Sequence, residues 1–248
     1  MLSGLPLWFL LASLAILGAI WGSFVAALCS RWPKGESIVH GRSRCDQCDV
    51  QIASYDLLPL VSFLLLKGRC RACGQKIGLM PFAVELVAML IGAVPALMLP
   101  ESQAVAAAIF GWALLPLILL DHQHLWLPNR LVLLLGAAGL LVGPMLTPDI
   151  AFADRFAGLI VGFLSLEALR LAYKKVRQRD GMGAGDPKLF GALGIWLGWQ
   201  ALPITLLGAS AVGLVLIFIM HLMADRSRSA FPFGSYLGLA AYIAVIVG

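Results

Sequence analysis

Long apolar runs broken by short charged connectors constrain this chain more than any other feature: residues 5–28, 82–99, 104–120, 131–146, 156–173, 202–223 and 231–247. Each is about 16–24 residues long, enough for a helix to cross about 30 Å of hydrocarbon. Lipid offers no partner for backbone N–H and C=O groups, so each run is predicted to be a helix that satisfies them internally. Residues 189–199 form one further run, unusually short, after a Gly-rich turn. A content of 60% hydrophobic and 12% charged residues excludes an ordinary soluble domain. The expectation is an all-α polytopic membrane protein with about eight transmembrane helices.

The first run lacks a basic segment before it and exceeds a signal-peptide core in length, so it reads as a retained span. Cytoplasmic loops accumulate Lys and Arg. Of the 18 basic residues, all but Arg155 fall on one face if both termini lie on the other. That face is expected to be cytoplasmic. Positive-inside sorting and contact with anionic lipid account for the net charge of +5 without any nucleic-acid partner.

One large polar insertion, residues 31–81, separates the first two runs. It holds Cys45-Asp46-Gln47-Cys48 and Cys70-Arg71-Ala72-Cys73. Each C-x-x-C turn offers two thiolates, and two such turns complete the four-sulfur shell of a structural zinc. With Cys45, Cys48, Cys70 and Cys73 as ligands no coordination position stays open, so the metal is expected to be structural rather than catalytic. In a reducing loop, disulfide or redox thiols are the weaker alternative and unligated thiols the weakest. Cys29, alone at the end of the first run, reads as a packing residue.

Two aspartates stand where apolar runs meet polar connectors on the expected cytoplasmic face. Asp121 follows residues 104–120, and Asp186 closes Gly183-Ala184-Gly185-Asp186. An ionisable group at membrane depth costs about 2.5–3.5 kcal/mol at a helix centre, which makes it a candidate for function. Two neighbouring carboxyls can share one proton, so that the ionised member activates water and the protonated member donates to a scissile carbonyl. They titrate as a unit. Helix capping by either residue, or proton passage through both, is the alternative reading.

The stretch Gly181-Met182-Gly183-Ala184-Gly185-Asp186-Pro187-Lys188-Leu189, continuing through Gly191-Ala192-Leu193-Gly194-Ile195-Trp196-Leu197-Gly198, resembles the type IV prepilin peptidase family of GxGD intramembrane aspartyl proteases. Gly22-Ser23-Phe24, Arg31-Trp32-Pro33, the two cysteine turns, residues 56–63 and Val84-Glu85-Leu86 are similar to the amino-terminal part of its bifunctional bacterial members. The resemblance implies cleavage of prepilin and pseudopilin leaders at the cytoplasmic face of the bacterial inner membrane, with Asp121 and Asp186 as the catalytic pair. It also implies methylation of the new amino terminus from S-adenosylmethionine. On this reading residues 1–30 are the first transmembrane helix and 31–81 the zinc module, together the methyltransferase part, while 82–248 form the peptidase domain. Membrane lipid and the hydrophobic helix of the pilin are the expected partners.

Departures from the family pattern cluster in the amino-terminal half. Ala26 replaces an asparagine, Asp46 a proline, and Leu79-Met80-Pro81 an Arg-Tyr-Pro pattern; further on, Asn129 stands where an aspartate is common. They bear on methylation, whereas the protease signature is intact. An inactive relative serving pilus or secretion assembly, or a proton-coupled transporter, are the rival functions. Among neighbouring residues, His122 and His124 read as solvated loop. Glu167 lies one turn from Arg170, a spacing that supports an ion pair, and Glu85 is a buried carboxylate awaiting a partner from the zinc module or the methylation site. Lys188 reads as a snorkelling cation or a partner for Asp186 or a phosphate. Most tryptophans, Trp196 and Trp199 included, fall near run ends and read as interfacial anchors.

Overall fold

The computed structural model describes residues 4, 6–37, 43–45, 47–179, 181–222 and 231–247. Asp46 and the basic residues Arg42, Arg226 and Arg228 lie outside the described residues. Among those described there is no strand, only isolated bridges between Arg44 and Gln51 and between Arg69 and Lys76. The helices in chain order are α1 (Leu7–Arg31), α2 (Val61–Leu65), α3 (Leu79–Met98), α4 (Glu101–His124), α5 (Asn129–Leu146), α6 (Phe152–Arg177), α7 (Asp186–Leu197), α8 (Leu202–Leu222) and α9 (Phe233–Val247). Six of them, α1, α3, α4, α5, α6 and α8, are long and apolar enough to cross a membrane, and α9 is a shorter apolar helix. The chain is a multi-pass membrane protein.

It divides into two compact units, Met1–Glu101 and Ser102–Gly248. In the first, α1 and α3 approach so closely that a Cβ on Gly22 would lie 2.6 Å from the Cα of Glu85, and one on Gly18 would meet the Ala88 carbonyl. Small residues permit this backbone contact, which replaces the hydrophobic drive that lipid does not supply. Glu85 is buried there and accepts a hydrogen bond from the backbone N–H of Leu60 at 2.8 Å. Leu60 has φ of 61° and is bridged by a bond from Val61 N to Pro59 O at 2.6 Å, a strained tight turn. The carboxylate thus has the partner from residues 31–81 that its burial requires.

In the second unit α7 is the enclosed element. Apart from Lys188, all of its residues are buried. Its 12 residues span about 18 Å, well short of a bilayer core. Instead of facing lipid, the short run is wrapped by its neighbours. Gly158 and Gly162 of α6 lie against the α7 backbone at Gly194 and Phe190, and α5 contributes Gly136 and Gly139 against Ile195 and Trp196. Trp196 is therefore no interfacial anchor: it is fully buried, its indole N–H donates to the Leu135 carbonyl at 2.9 Å, and its ring lies 4.8 Å from that of Phe110. Trp199, just beyond the helix, is exposed and donates to Asp154 at 2.9 Å.

The basic residue that broke the charge pattern has a structural explanation. Arg155 is fully buried near the start of α6, where its guanidinium donates to the carbonyls of Ile195 and Trp196 at 3.0 Å each, of Gly143 at 3.1 Å and of Thr147 at 2.6 Å. The Ile195 and Trp196 carbonyls lie in the last turn of α7 and those of Gly143 and Thr147 at the end of α5, where the guanidinium adds to the Thr147 and Ile150 N–H donors and its charge meets the negative end of each helix dipole.

Candidate active site and metal centre

Asp121 lies in the last turn of α4, not beyond it. The apolar run ends at Leu120, yet the helix continues through the exposed residues His122 to His124. A carboxylate near a helix C-terminus faces the dipole's negative end and cannot cap its own helix. Asp121 is nonetheless 5% exposed, so its partners come from elsewhere. They come from α9: the Ser235 N–H donates to Asp121 Oδ2 at 2.6 Å, and the Ser235 hydroxyl lies 3.0 Å from the same oxygen.

Asp186 opens α7 and is equally buried, at 4%. Its Oδ2 accepts the Gly183 N–H at 3.1 Å, and the Gly234 N–H faces it from the first turn of α9. The glycines before it serve close approach. A Cβ on Gly185 would lie 2.6 Å from Leu127 Cβ, and one on Gly183 would lie 3.3 Å from Asp186 Oδ2. Lys188 does not reach Asp186 but donates to Asn129 Oδ1 at 2.9 Å, joining the first turns of α7 and α5.

The two aspartates meet at Gly234. A Cβ there would sit 3.0 Å from Asp186 Oδ1 and 3.1 Å from Asp121 Oδ2, so these oxygens can be no farther apart than the sum of those distances. The C-terminal end of α4 and the N-terminal ends of α7 and α9 thus converge on one pair of carboxyls. Backbone N–H groups and positive dipole ends supply the polar surroundings that lipid lacks. Sequence reading missed Gly234 and Ser235, which sit at the head of an apolar run. Pro232, just ahead of them on the same expected face as both aspartates, was the available signal for a helix start.

In the first unit, Cys45, Cys48, Cys70 and Cys73 place their sulfurs within 4.8 Å of one another, with Cys45 and Cys73 Sγ at 3.9 Å. A tetrahedral zinc with bonds of about 2.3 Å would set its sulfurs about 3.8 Å apart, so the donor set fits that ion. None of the four is in a disulfide. Backbone N–H groups of Cys73 and Ala72 bring the Cys70 thiol down to about 7. Cys48, although Val50 N–H favours its thiolate, is pushed up to about 12 by burial and three neighbouring sulfurs. The second turn is tied down by Arg71, which grips Asp56 at 2.7 and 2.9 Å and lies over the Tyr55 ring; this hydrogen bonding holds the Asp56 carboxyl below its usual range.

Glu167 and Arg170 form the local pair that their spacing suggested, at 2.6 Å. His122 and His124 are exposed, and Cys29 is buried in α1.

Fold and site together define a class: a polytopic membrane protein in which two buried carboxyls from different helices face one glycine. Residues 16–99 match the Bacterial Peptidase A24 N-terminal domain, and residues 108–218 match the Type IV leader peptidase family. A protein of Pseudomonas putida named prepilin leader peptidase/N-methyltransferase is 39% identical over 208 residues, 83% of this chain and 72% of the relative. One of the same name from Aeromonas salmonicida is 40% identical over 209 residues, 84% of this chain and 72% of the relative. One from Pseudomonas aeruginosa is 34% identical over 271 residues, 98% of this chain and 92% of the relative. No solved structure matches. This chain belongs to the type IV leader peptidase family.

Proposed function

We propose that this chain cleaves the leader peptide from prepilins or pseudopilins with Asp121 and Asp186 as its catalytic pair, at the cytoplasmic face of the bacterial inner membrane, and then methylates the exposed amino terminus. The carrying observation is the meeting of both carboxyls at Gly234, with Arg130 in the first turn of α5, Lys174 and Lys175 in the last turn of α6 and Lys188 in the first turn of α7 at the same end of the second unit. The substrate is itself a hydrophobic helix, so its cleavage point reaches the membrane interface at that same end.

The pair works with one proton between two carboxyls, because like charges this close resist ionising together. The ionised member takes a proton from water as the water oxygen bonds to the scissile carbonyl carbon. The protonated member gives its proton to the carbonyl oxygen. The resulting diol collapses when the first member passes its proton to the amide nitrogen, the C–N bond breaks, and a diol proton returns to the second member. The pair ends as it began.

The Cys45, Cys48, Cys70 and Cys73 cluster would hold a zinc ion that supplies folding energy to residues 31–81 and takes no part in the chemistry. Methylation is attributed through the family relationship, with S-adenosylmethionine as the methyl donor, and no residue of this chain is assigned a step in it. Mass spectrometry of a prepilin co-expressed with the chain tests both activities, with Asp186→Asn as control. Loss of the leader with a gain of ~14 Da, one methyl in place of hydrogen, is expected from the wild type. No processing of any prepilin would overturn the reading.

A further inference from the structure

We infer that Ser235 is a positioning residue for Asp121 that keeps its carboxyl hydrogen-bonded in both protonation states of the reaction. The inference rests on the proposed role of the aspartate pair and deepens it. Ser235 lies beyond the part of the chain that the peptidase-family match covers, which ends at residue 218.

The Ser235 hydroxyl has a single hydrogen and two acceptors within reach. The Ser235 hydroxyl oxygen lies 2.9 Å from the Ile118 carbonyl, one turn before Asp121 in α4, and 3.0 Å from Asp121 Oδ2. A hydroxyl has one hydrogen, and the Ile118 carbonyl can only accept. When Asp121 is ionised, the hydroxyl turns to Oδ2 and donates to it beside the Ser235 N–H. When Oδ2 carries the proton, Asp121 donates to the Ser235 oxygen and the hydroxyl turns to Ile118. Both arrangements use the same heavy-atom positions, and only a hydroxyl hydrogen rotates. The charged and titratable groups facing Asp121 are Asp186 at the head of α7 and His122 on its own helix. Asp186 exchanges the shared proton with Asp121 in the proposed pair, and the Ser235 hydroxyl is the partner that α9 holds against Oδ2 in either state.

Without the hydroxyl, the ionised Oδ2 keeps the Ser235 N–H but loses its second donor, and the protonated Oδ2 loses the acceptor that α9 holds beside it, each loss being a cost in a buried site. Alanine at 235 keeps the backbone N–H and loses the relay. Threonine keeps both.

The test compares cleavage kinetics of wild type, Ser235→Ala, Ser235→Thr and Asp121→Asn on one purified prepilin, with thermal unfolding in detergent as the control for folding. Expected are a fall in kcat of about tenfold or more for Ser235→Ala at unchanged KM and unchanged unfolding temperature, recovery of most of that rate in Ser235→Thr, and no cleavage by Asp121→Asn. Wild-type kcat in Ser235→Ala, an equal deficit in Ser235→Thr, or a loss confined to KM would overturn the inference while an inactive Asp121→Asn left the catalytic pair standing. Cleavage by Asp121→Asn would overturn both.

Discussion

Gly158 of α6 and Gly194 of α7 meet backbone to backbone: a Cβ on either would run into the other's carbonyl oxygen. Because the far end of α7 carries Asp186, this crossing fixes where that carboxyl stands. Neither obstacle is a flexible side chain, so the helices must move apart to admit a methyl. Alanine at 158 or 194 is expected to cost about 3 kcal/mol, the upper part of the overpacking range, and to reduce cleavage. Thermal unfolding in detergent and prepilin processing measure the two effects, and a full-rate, fully stable Gly194→Ala protein would contradict the crossing.

Arg155 holds the opposite end of α7 from Asp186. Replacing it with methionine fills part of the space but removes the guanidinium's bonds to four carbonyls: those of Gly143, Thr147 and Trp196 keep a donor in Thr147 N–H, Ile150 N–H and the Thr147 hydroxyl, whereas the Ile195 carbonyl loses the donor that Arg155 supplies. A buried acceptor left without its donor costs about 1–3 kcal/mol, so the variant should accumulate poorly and unfold at a clearly lower temperature. Lysine, with a point charge rather than a planar fork, is expected to restore only part of that loss, since a single ammonium cannot reach both helix ends as the guanidinium does.

Gly234→Ala addresses the dyad directly. Its methyl would press on Asp186 Oδ1, Asp121 Oδ2 and Leu127 Cδ1 at once, the last at 2.8 Å. The carboxyls must spread to accommodate it, and misplacement of reacting groups by about 1 Å can cost 100-fold in rate. The expected outcome is a folded protein with at least that loss in kcat. Cleavage at the wild-type rate would mean that the two oxygens do not flank this position in the working enzyme.

The aspartates and the cysteine turns were legible because each is a local pattern: a carboxylate at the edge of an apolar run, or two thiols on one turn. Their setting was not. Ser235 reaches Asp121 across a separation of 114 residues, and an apolar run such as residues 231–247 does not encode which helix its first turn will touch. Trp196 was misread because proximity to a run end implies an interface only for a helix that faces lipid, and α7 is enclosed. Arg155 stood out in the sequence as the one basic residue off the expected basic face, but the reason for its place, two helix C-termini brought together, exists only in three dimensions. The run ending at Leu120 also understated α4, because the polar turn through His124 stays helical where the apolar pattern stops.

Arg71 and Asp56 provide a test of the metal centre that does not touch a ligand. Arg71 sits between Cys70 and Cys73, and its two-pronged grip on Asp56 fixes the second cysteine turn against residues 54–57. Outer partners that orient a ligand loop typically contribute 10–100-fold to metal affinity. Arg71→Ala should therefore still bind zinc but release it about tenfold faster to a chelator, while the Cys45→Ser, Cys70→Ser double variant should bind none. Metal analysis of purified protein and a chelator competition give both numbers. Equal zinc content in the double variant and the wild type would remove the four-cysteine site. A wild-type release rate in Arg71→Ala would instead leave that site in place and show that the sulfurs need no support from the Asp56 latch.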